Sequence, residues 1–262
     1  VIDSGRPRLW AVKELIDTTS ISNIGSIRDD WTSTSKAEAG ENFDWAVAFT
    51  EETENPNAVR RHYRTDALLC SHRNNIDAQT MMSIMSAHWL DDDISSDFNP
   101  FPGDIRGICA HTIGDNVQNT TDSLIADFCA DGSRLPVYWR TLYSPCMGLY
   151  YPVFLEGELP SHLAIGDAEK TDDNPWWMFH ELTKSGLVEG HDRIAQIRDG
   201  WIPLQKELLE TAYELARQGV ELIRNGRESD ANRMLTKYIA GSVSRMRVTT
   251  RELLEMRAAS GS

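Results

Sequence analysis

The sequence predicts an α+β protein, in which a group of antiparallel strands is followed by long helices. Between residues 107 and 155, four segments have the apolar alternation of strands, and short turn signals separate them. Between residues 192 and 259, apolar residues recur at helical spacing over two long segments. Sequential strands with short connections favour antiparallel pairing, so we expect the sheet and the helices to form separate layers.

The first part of the chain contains short strands separated by polar segments. Residues 8–14 and 18–24 are rich in apolar and β-branched side chains, which predicts two strands. The polar segment 28–56 contains a few aromatic residues, and we expect irregular structure with a short helix anchored by them.

Two helices are predicted next. Apolar residues at helical spacing predict one over 58–72. Asp77 is placed to cap a second helix that runs to His88. The segment 90–106, with its run of aspartates and its Pro and Gly residues, is predicted to be a loop.

Four strands follow in the central part of the chain. A polar turn at 131–133 separates the second strand from the third, and the Ser-Pro pair at 144–145 separates the third from the fourth. The predicted strands are 107–112, 120–129, 135–142 and 147–155.

From residue 174 the pattern becomes helical. Two tryptophans at 176–177 open one helix, and a long amphipathic helix follows over 192–224. Asn and Gly at 225–226 end that helix, and a last helix extends over 229–259. We expect these last two helices to form a hairpin that serves packing or dimerisation.

This change of pattern predicts two domains. Residues 1–173 would form the strand-containing domain, and residues 174–262 would form a helical extension packed on it.

The composition excludes several classes of partner. The net charge is −14 and the pI is near 4.9, so the surface repels nucleic acids and anionic membranes. No apolar run reaches the roughly 20 residues that a membrane span needs. The first residues do not form a signal peptide and the chain lacks an initiator Met, so we expect a processed piece of a longer cytoplasmic protein.

The cysteines and histidines show no metal-ligand spacing. The four cysteines form no Cys-x-x-Cys pair, and the histidines are scattered. We therefore expect reduced thiols, no metal site and no cofactor.

Asn23 is the first candidate for function. It follows a β-branched run and is followed closely by Gly25, so an amide donor is expected at the exposed end of a strand. The alternative is an ordinary turn, in which the Asn side chain caps its own bend.

A cluster of cations and one histidine are the next candidates. Arg60, Arg61 and Arg64 lie close together on a predicted helix, and guanidinium groups bind carboxylates and oxyanions bidentately. The alternative is that they pair with neighbouring acidic residues. His111, at a predicted strand end, is a candidate for substrate binding or a structural residue. No nucleophile elbow and no phosphate-binding loop accompany them.

Three motifs then follow one another along the chain. They are Trp10-Ala11-Val12-Lys13 with Ser20-Ile21-Ser22-Asn23, then Thr120-Thr121-Asp122-Ser123-Leu124 with Ser144-Pro145-Cys146 and Tyr151-Pro152-Val153-Phe154, and last Trp176-Trp177-Met178-Phe179-His180-Glu181. In order and spacing they resemble the secernin and dipeptidase A family of N-terminal-nucleophile hydrolases, which is related to the choloylglycine hydrolase and penicillin V acylase group.

The resemblance implies a four-layer αββα sandwich and hydrolysis of an amide bond in a small peptide or N-acyl compound. A Cys at the mature N-terminus would attack the carbonyl, with its own α-amino group taking the thiol proton. Asn23 resembles an Asn at a strand end of the related group, and would help to bind the oxyanion. Arg61 resembles the pocket Arg of an Arg-Phe-x-Arg pattern, with His62 in place of Phe, and Arg60 remains open as its competitor.

The nucleophile that the resemblance implies is not at the start of this chain, which begins with Val1. We therefore expect an upstream segment or a second chain to supply it, as in an enzyme cut into two subunits by autoprocessing. The alternative is a noncatalytic binding or scaffold protein with the same fold.

Overall fold

The computed structural model describes residues 2–3, 10–35, 43–49, 55–88, 107–111, 119–164, 169–171 and 174–260. It divides into two units, one formed by Val1–Ile76 with Arg106–Ile108 and the other by Asp77–Ile105 with Cys109–Ser262. Each unit combines helices with a three-stranded antiparallel sheet, as the sequence predicts for an α+β protein. The division does not coincide with the predicted boundary at 173/174, because the C-terminal helices belong to the same unit as the second sheet.

The first unit contains small elements around an aromatic core. Its elements are β1 (Ile2–Asp3), β2 (Trp10–Val12), β3 (Ser33–Thr34), α1 (Trp45–Phe49) and α2 (Pro56–Ser71). The strands pair in the order β1-β2-β3, with Ala11 opposite Thr34. Trp45 is fully buried, and Trp31 and Phe43 pack around it, which confirms a short helix anchored by aromatic residues in the polar segment.

Helix α2 begins and ends where its local sequence dictates. The Asn55 side chain accepts a hydrogen bond from the Asn57 amide, and Pro56 occupies the first helical position, where its missing N–H costs nothing. The helix predicted over 58–72 is therefore confirmed, with its start two residues earlier.

The predicted strand over 18–24 is wrong. These residues are irregular, because their side chains bond to α2 and not to a neighbouring strand. The Ser20 hydroxyl bonds to His62, Asn23 accepts from Arg61, and Ile21 is exposed. Side-chain hydrogen bonds to α2 thus take the place of the strand-to-strand backbone hydrogen bonds that the β-branched pattern predicted.

The second unit is built on a sheet in the order β4-β5-β6. Ile125 pairs with Trp139, and Tyr138 pairs with Val153, all antiparallel as predicted. Its elements are α3 (Ala78–Met85), β4 (Asp122–Asp127), β5 (Val137–Leu142), a 3-10 helix (Pro145–Met147), β6 (Tyr151–Val153), α4 (Ser161–Ala164), α5 (Pro175–Glu189), α6 (His191–Arg224) and α7 (Glu228–Ser260).

Alternation along the strands gives this sheet two different faces. One face carries Ile125, Val137 and Trp139, which are buried in the same core as residues of α5, α6 and α7. The opposite face carries Leu124, which is 58% exposed. The three helices therefore cover one face of the sheet and form its hydrophobic core.

Helices α6 and α7 form the predicted hairpin. The Arg227 amide donates to the Leu222 carbonyl and the Gly226 amide to the Ile223 carbonyl, which is the Schellman arrangement. Gly226 has φ +70°, a conformation that glycine adopts without a Cβ penalty. No helix in the described part of the chain is both long and apolar enough to span a bilayer.

Two further segments differ from prediction. Asp77 caps α3 as predicted, by accepting from the Thr80 amide, but the helix ends at Met85, so the extension to His88 is wrong. The predicted strand 107–112 is irregular over its described residues 107–111. The Cys109 amide bonds to the Ala87 carbonyl, whereas Ala110 bonds to Thr120, so the segment pairs with two different neighbours. The predicted loop 90–106 and Thr112 lie outside the described residues.

The packing of α6 on the sheet generates a stability prediction. Leu208 is 1% exposed within the core, whereas Ile202 on the same helix is 60% exposed. We expect Leu208→Ala to lower the free energy of unfolding by about 2–5 kcal/mol, because the cavity left in a packed core is only partly filled by relaxation. The control Ile202→Ala is expected to change it by about 0.5 kcal/mol or less. Urea unfolding followed by circular dichroism measures both, and equal losses would contradict this packing.

Candidate functional site

The first group of candidate residues lies in the first unit, around Asn23 and α2. The Arg61 guanidinium donates to Asn23 Oδ1 at 3.3 Å. Since a guanidinium can only donate, it fixes the amide with its oxygen toward Arg61, and the two Nδ2–H donors point elsewhere. The two residues predicted to be catalytic are thus brought together.

The neighbouring arginines of α2 have different surroundings. Arg60 lies on the exposed side of the helix. Arg64 is one helical turn from Arg61, and its Nε and one terminal nitrogen are buried with no hydrogen-bond partner among the residues that the structure describes. Buried donors normally have an acceptor, so a carboxylate or another anion fits this position.

Three further polar side chains in this unit form a row that the sequence did not reveal. Ser20 Oγ lies 2.8 Å from His62 Nδ1, and His62 Nε2 lies 3.4 Å from Asp66 Oδ2. When His62 carries its proton on Nε2, the nitrogen that faces Asp66, Nδ1 is an acceptor for the Ser20 hydroxyl proton. The His62 carbonyl, 3.2 Å from Ser20 Oγ, is a second acceptor for the same proton. Only the i, i+4 spacing of His62 and Asp66 on a predicted helix could have indicated this row.

The second group lies in the second unit and is fully buried. His88, Cys109, His111 and Cys146 each contribute a nitrogen or sulfur atom, and these four atoms lie within 4.8 Å of one another. None of the four residues is more than 6% exposed. His111 was predicted to bind substrate, but it belongs to a different unit from Asn23, Arg60, Arg61 and Arg64.

Separate segments bring these four residues together. His88 follows the end of α3, Cys109 and His111 lie in the irregular segment beside it, and Cys146 lies in the 3-10 helix after β5. The hydrogen bond from the Cys109 amide to the Ala87 carbonyl, 3.0 Å long, joins the first two segments. The sequence predicted no metal spacing, and the single signal available was the Cys-x-His pair at 109–111.

His111 is the centre of this group. Its Nε2 lies 3.0 Å from Cys146 Sγ and 3.4 Å from Cys109 Sγ. Its Nδ1 lies 3.5 Å from Ser144 Oγ, which in turn lies 3.5 Å from the Thr120 carbonyl. The carbonyl can only accept, so Ser144 donates to it and accepts from Nδ1–H, which leaves the Nε2 lone pair directed at the two sulfurs.

The pKa values of the two thiols are shifted in opposite directions. Burial opposes ionisation of Cys109, but hydrogen bonding from Cys146 and the charge and hydrogen bonds of the imidazoles bring the pKa of Cys109 well below its usual range. Burial raises the pKa of Cys146 well above its usual range, and the neighbouring Cys109 sulfur raises it further. Cys109 is therefore the thiol of the pair that loses its proton more readily.

Cys146 also lines a cavity of about 660 Å³, which lies between the 3-10 helix and one side of α6. Its other lining residues include Arg198, Gln205 and Tyr150. Gln205 accepts from the Tyr150 amide and donates to the Tyr150 carbonyl. Two hydrogen bonds therefore join the segment between the 3-10 helix and β6 to α6. Cys146 is therefore the member of the buried group that borders this cavity.

No protein-family model, curated protein or solved structure matches the chain. What the two groups can do chemically therefore follows from their geometry. The first group offers an oriented amide, a partly buried guanidinium and a Ser-His-Asp row. The second offers two thiols and two imidazoles in a compact, buried arrangement.

The burial of the thiols predicts an order of chemical reactivity. Cys70 is exposed and Cys129 is partly exposed, whereas Cys109 and Cys146 are buried. We expect iodoacetamide to modify Cys70 first and Cys129 next in the folded protein, and Cys109 only after unfolding in guanidinium chloride, because alkylation needs access to the sulfur.

A time course of peptide mass spectrometry measures the four rates. Cys70→Ser is the control, and it should remove the fastest phase without changing the others. Alkylation of Cys109 as fast as Cys70 would contradict the buried placement.

Proposed function

We propose that this chain is the larger part of a cysteine-type N-terminal-nucleophile amidohydrolase that cleaves an amide bond of a small peptide or N-acyl compound. The single observation that supports it most is the hydrogen bond from Arg61 to Asn23, since it orients an amide donor for an oxyanion. A segment upstream of this sequence, or a second chain, would supply the nucleophilic Cys.

In this mechanism, each group in the first unit has a definite task. The α-amino group of the nucleophile takes its thiol proton, and the thiolate attacks the carbonyl carbon. The carbonyl oxygen becomes an oxyanion and accepts from the Nδ2–H group of Asn23. When the oxyanion collapses, the C–N bond breaks and the amine leaves with the proton held by the α-amino group, and water then hydrolyses the thioester. Arg61 holds the amide in place, and the partly buried guanidinium of Arg64, with two nitrogens that lack an acceptor, binds a substrate carboxylate.

The surface of the second sheet supports the proposed four-layer αββα sandwich. Leu124 and Phe128, 58% and 67% exposed, lie on the face opposite the helices, and the Phe128 and Tyr138 rings meet edge to face on that side. The same face also carries the ion pair of Arg140 with Asp122, so Leu124, Phe128 and Tyr138 are the apolar part against which a second sheet would pack.

The first experiment identifies the nucleophile. Intact mass and N-terminal sequencing of the protein isolated from its native source should reveal an associated chain that begins with Cys. If residues 1–262 alone constitute the native protein, this proposal fails and the noncatalytic scaffold with the same fold is favoured.

Substitutions of Asn23 test the oxyanion donor. Asn23→Asp keeps an acceptor for Arg61 but removes both amide donors, so we expect turnover to fall by about 100–1,000-fold, as for loss of one oxyanion donor. Arg61→Ala should also lower turnover, because the amide of Asn23 loses its orientation.

Release of amine from a panel of dipeptides and N-acyl amino acids measures turnover of the protein expressed with its nucleophile segment. Arg233→Ala, on the exposed side of α7, is the matched control. Near-normal turnover of Asn23→Asp with an unchanged melting temperature would show that Asn23 does not bind the oxyanion.

The Ser20–His62–Asp66 row favours a second candidate, in which this chain supplies its own nucleophile. Ser20 Oγ would bond to the carbonyl carbon while its proton passes to His62 Nδ1, and that proton would then go to the leaving amine. Ser20→Ala distinguishes the two mechanisms. It should abolish activity and labelling by a fluorophosphonate if Ser20 is the nucleophile, and leave turnover within about threefold if a Cys is the nucleophile.

A further inference from the structure

We propose that His88, Cys109, His111 and Cys146 bind one Zn²⁺ ion in a tetrahedral Cys₂His₂ site. This site lies in the second unit and serves a purpose separate from the amide chemistry of the first. It is independent of the proposed function, because none of its four residues is assigned a part in hydrolysis.

The distances suit a tetrahedral ion. Zinc binds Cys at about 2.3 Å and His at about 2.0–2.1 Å, which places ligand atoms about 3.3–3.8 Å apart. His111 Nε2 lies 3.0 and 3.4 Å from the two sulfurs, and all four ligand atoms lie within 4.8 Å. Small side-chain adjustments around one central ion therefore complete the coordination.

The ligand types select the metal. Two thiolates and two imidazoles are the donors that zinc prefers, whereas magnesium and calcium require oxygen ligands. Two thiolates also cancel the two positive charges of the ion, so the filled site is neutral. Neutrality matters here, because none of the four residues is more than 6% exposed and an uncompensated charge at that depth is costly.

The surroundings orient His111 as a metal ligand. Its Nδ1–H is directed at Ser144 Oγ, and Ser144 bonds onward to the Thr120 carbonyl. These hydrogen bonds select the tautomer in which Nε2 carries the lone pair. Nε2 is the atom that faces both sulfurs. Metal-binding histidines are commonly held in this way by a polar group on the other nitrogen.

The placement of the ligands gives the ion a structural role. It would join the residues after α3, residues 109–111 and the 3-10 helix after β5, none of which lies in a strand of the sheet. A single ion that joins them stabilises the folded state, because the unfolded chain does not hold these ligands together. The cavity beside Cys146 provides the route of entry.

The test uses residues 1–262 purified under reducing conditions, with Zn²⁺ and Co²⁺ as the probes. Elemental analysis should give one zinc per chain after dialysis. Cobalt bound to the zinc-free protein should show the visible bands of tetrahedral coordination and a thiolate-to-cobalt charge-transfer band. Zinc should also raise the melting temperature.

The variants are chosen in matched pairs. Cys109→Ser and Cys146→Ser should each lose the charge-transfer intensity of one thiolate and most of the zinc, whereas Cys70→Ser and Cys129→Ser should bind as the unchanged protein does. Ser144→Ala should keep the stoichiometry and weaken zinc binding by about 10–100-fold, because only the support of His111 is lost.

Two results would overturn the proposal. One is a folded, reduced, unsubstituted protein that shows no thiolate-to-cobalt band, a measurement that stands even if the cysteine variants fail to fold. The other is zinc that is lost in Cys70→Ser or Cys129→Ser but retained when Cys109 and Cys146 are replaced. Neither result bears on the amide chemistry, since the readouts are metal content and spectra.

Discussion

The second unit depends on the burial of one face of its three-stranded sheet beneath α5, α6 and α7. Trp139 is the centre of that face, and alternation along β5 places Val137 beside it. The same helices hold the segment between β5 and β6, since the indole of Trp201 donates to the Met147 carbonyl and Gln205 bonds twice to Tyr150. Burial of the sheet face positions α6, and hydrogen bonds from α6 then fix the position of the 3-10 helix and of Cys146.

A buried polar group in such a core must be satisfied, and this constraint explains the composition of the His-Cys group. Thiols and imidazoles have small desolvation costs compared with carboxylates or ammonium groups, and they can bond to one another. Such contacts join Cys109, His111 and Cys146. The other imidazole nitrogen of His111 bonds to the Ser144 hydroxyl, which bonds in turn to the Thr120 carbonyl. An arrangement of this kind tolerates burial without an ion and becomes fully coordinated with one.

The parts of the fold that could be predicted from the sequence are those determined locally. The cap at Asp77, the glycine turn at Gly226 and the periodicity of α2, α6 and β5 all arise from residues within a few positions of one another. The segments 18–24 and 107–111 could not be predicted, because their hydrogen bonds go to distant residues. The family resemblance named Asn23 and Arg61 separately, and the hydrogen bond between them was not predicted. The four His and Cys residues come from separate segments, so only the Cys-x-His pair at 109–111 has a recognisable spacing.

In the first unit, helix α2 determines the geometry of a segment that has no regular structure of its own. Arg61 and His62 are adjacent on the helix, and their side chains reach Asn23 and Ser20, which are three residues apart in the irregular segment. Two bonds to one rigid helix fix the direction of both polar groups more firmly than either bond could alone. The orientation of the Asn23 amide is thus a property of the helix as much as of Asn23. A group that must meet a developing oxyanion needs this kind of support, because a donor that has to reorient during the reaction loses much of its stabilising effect.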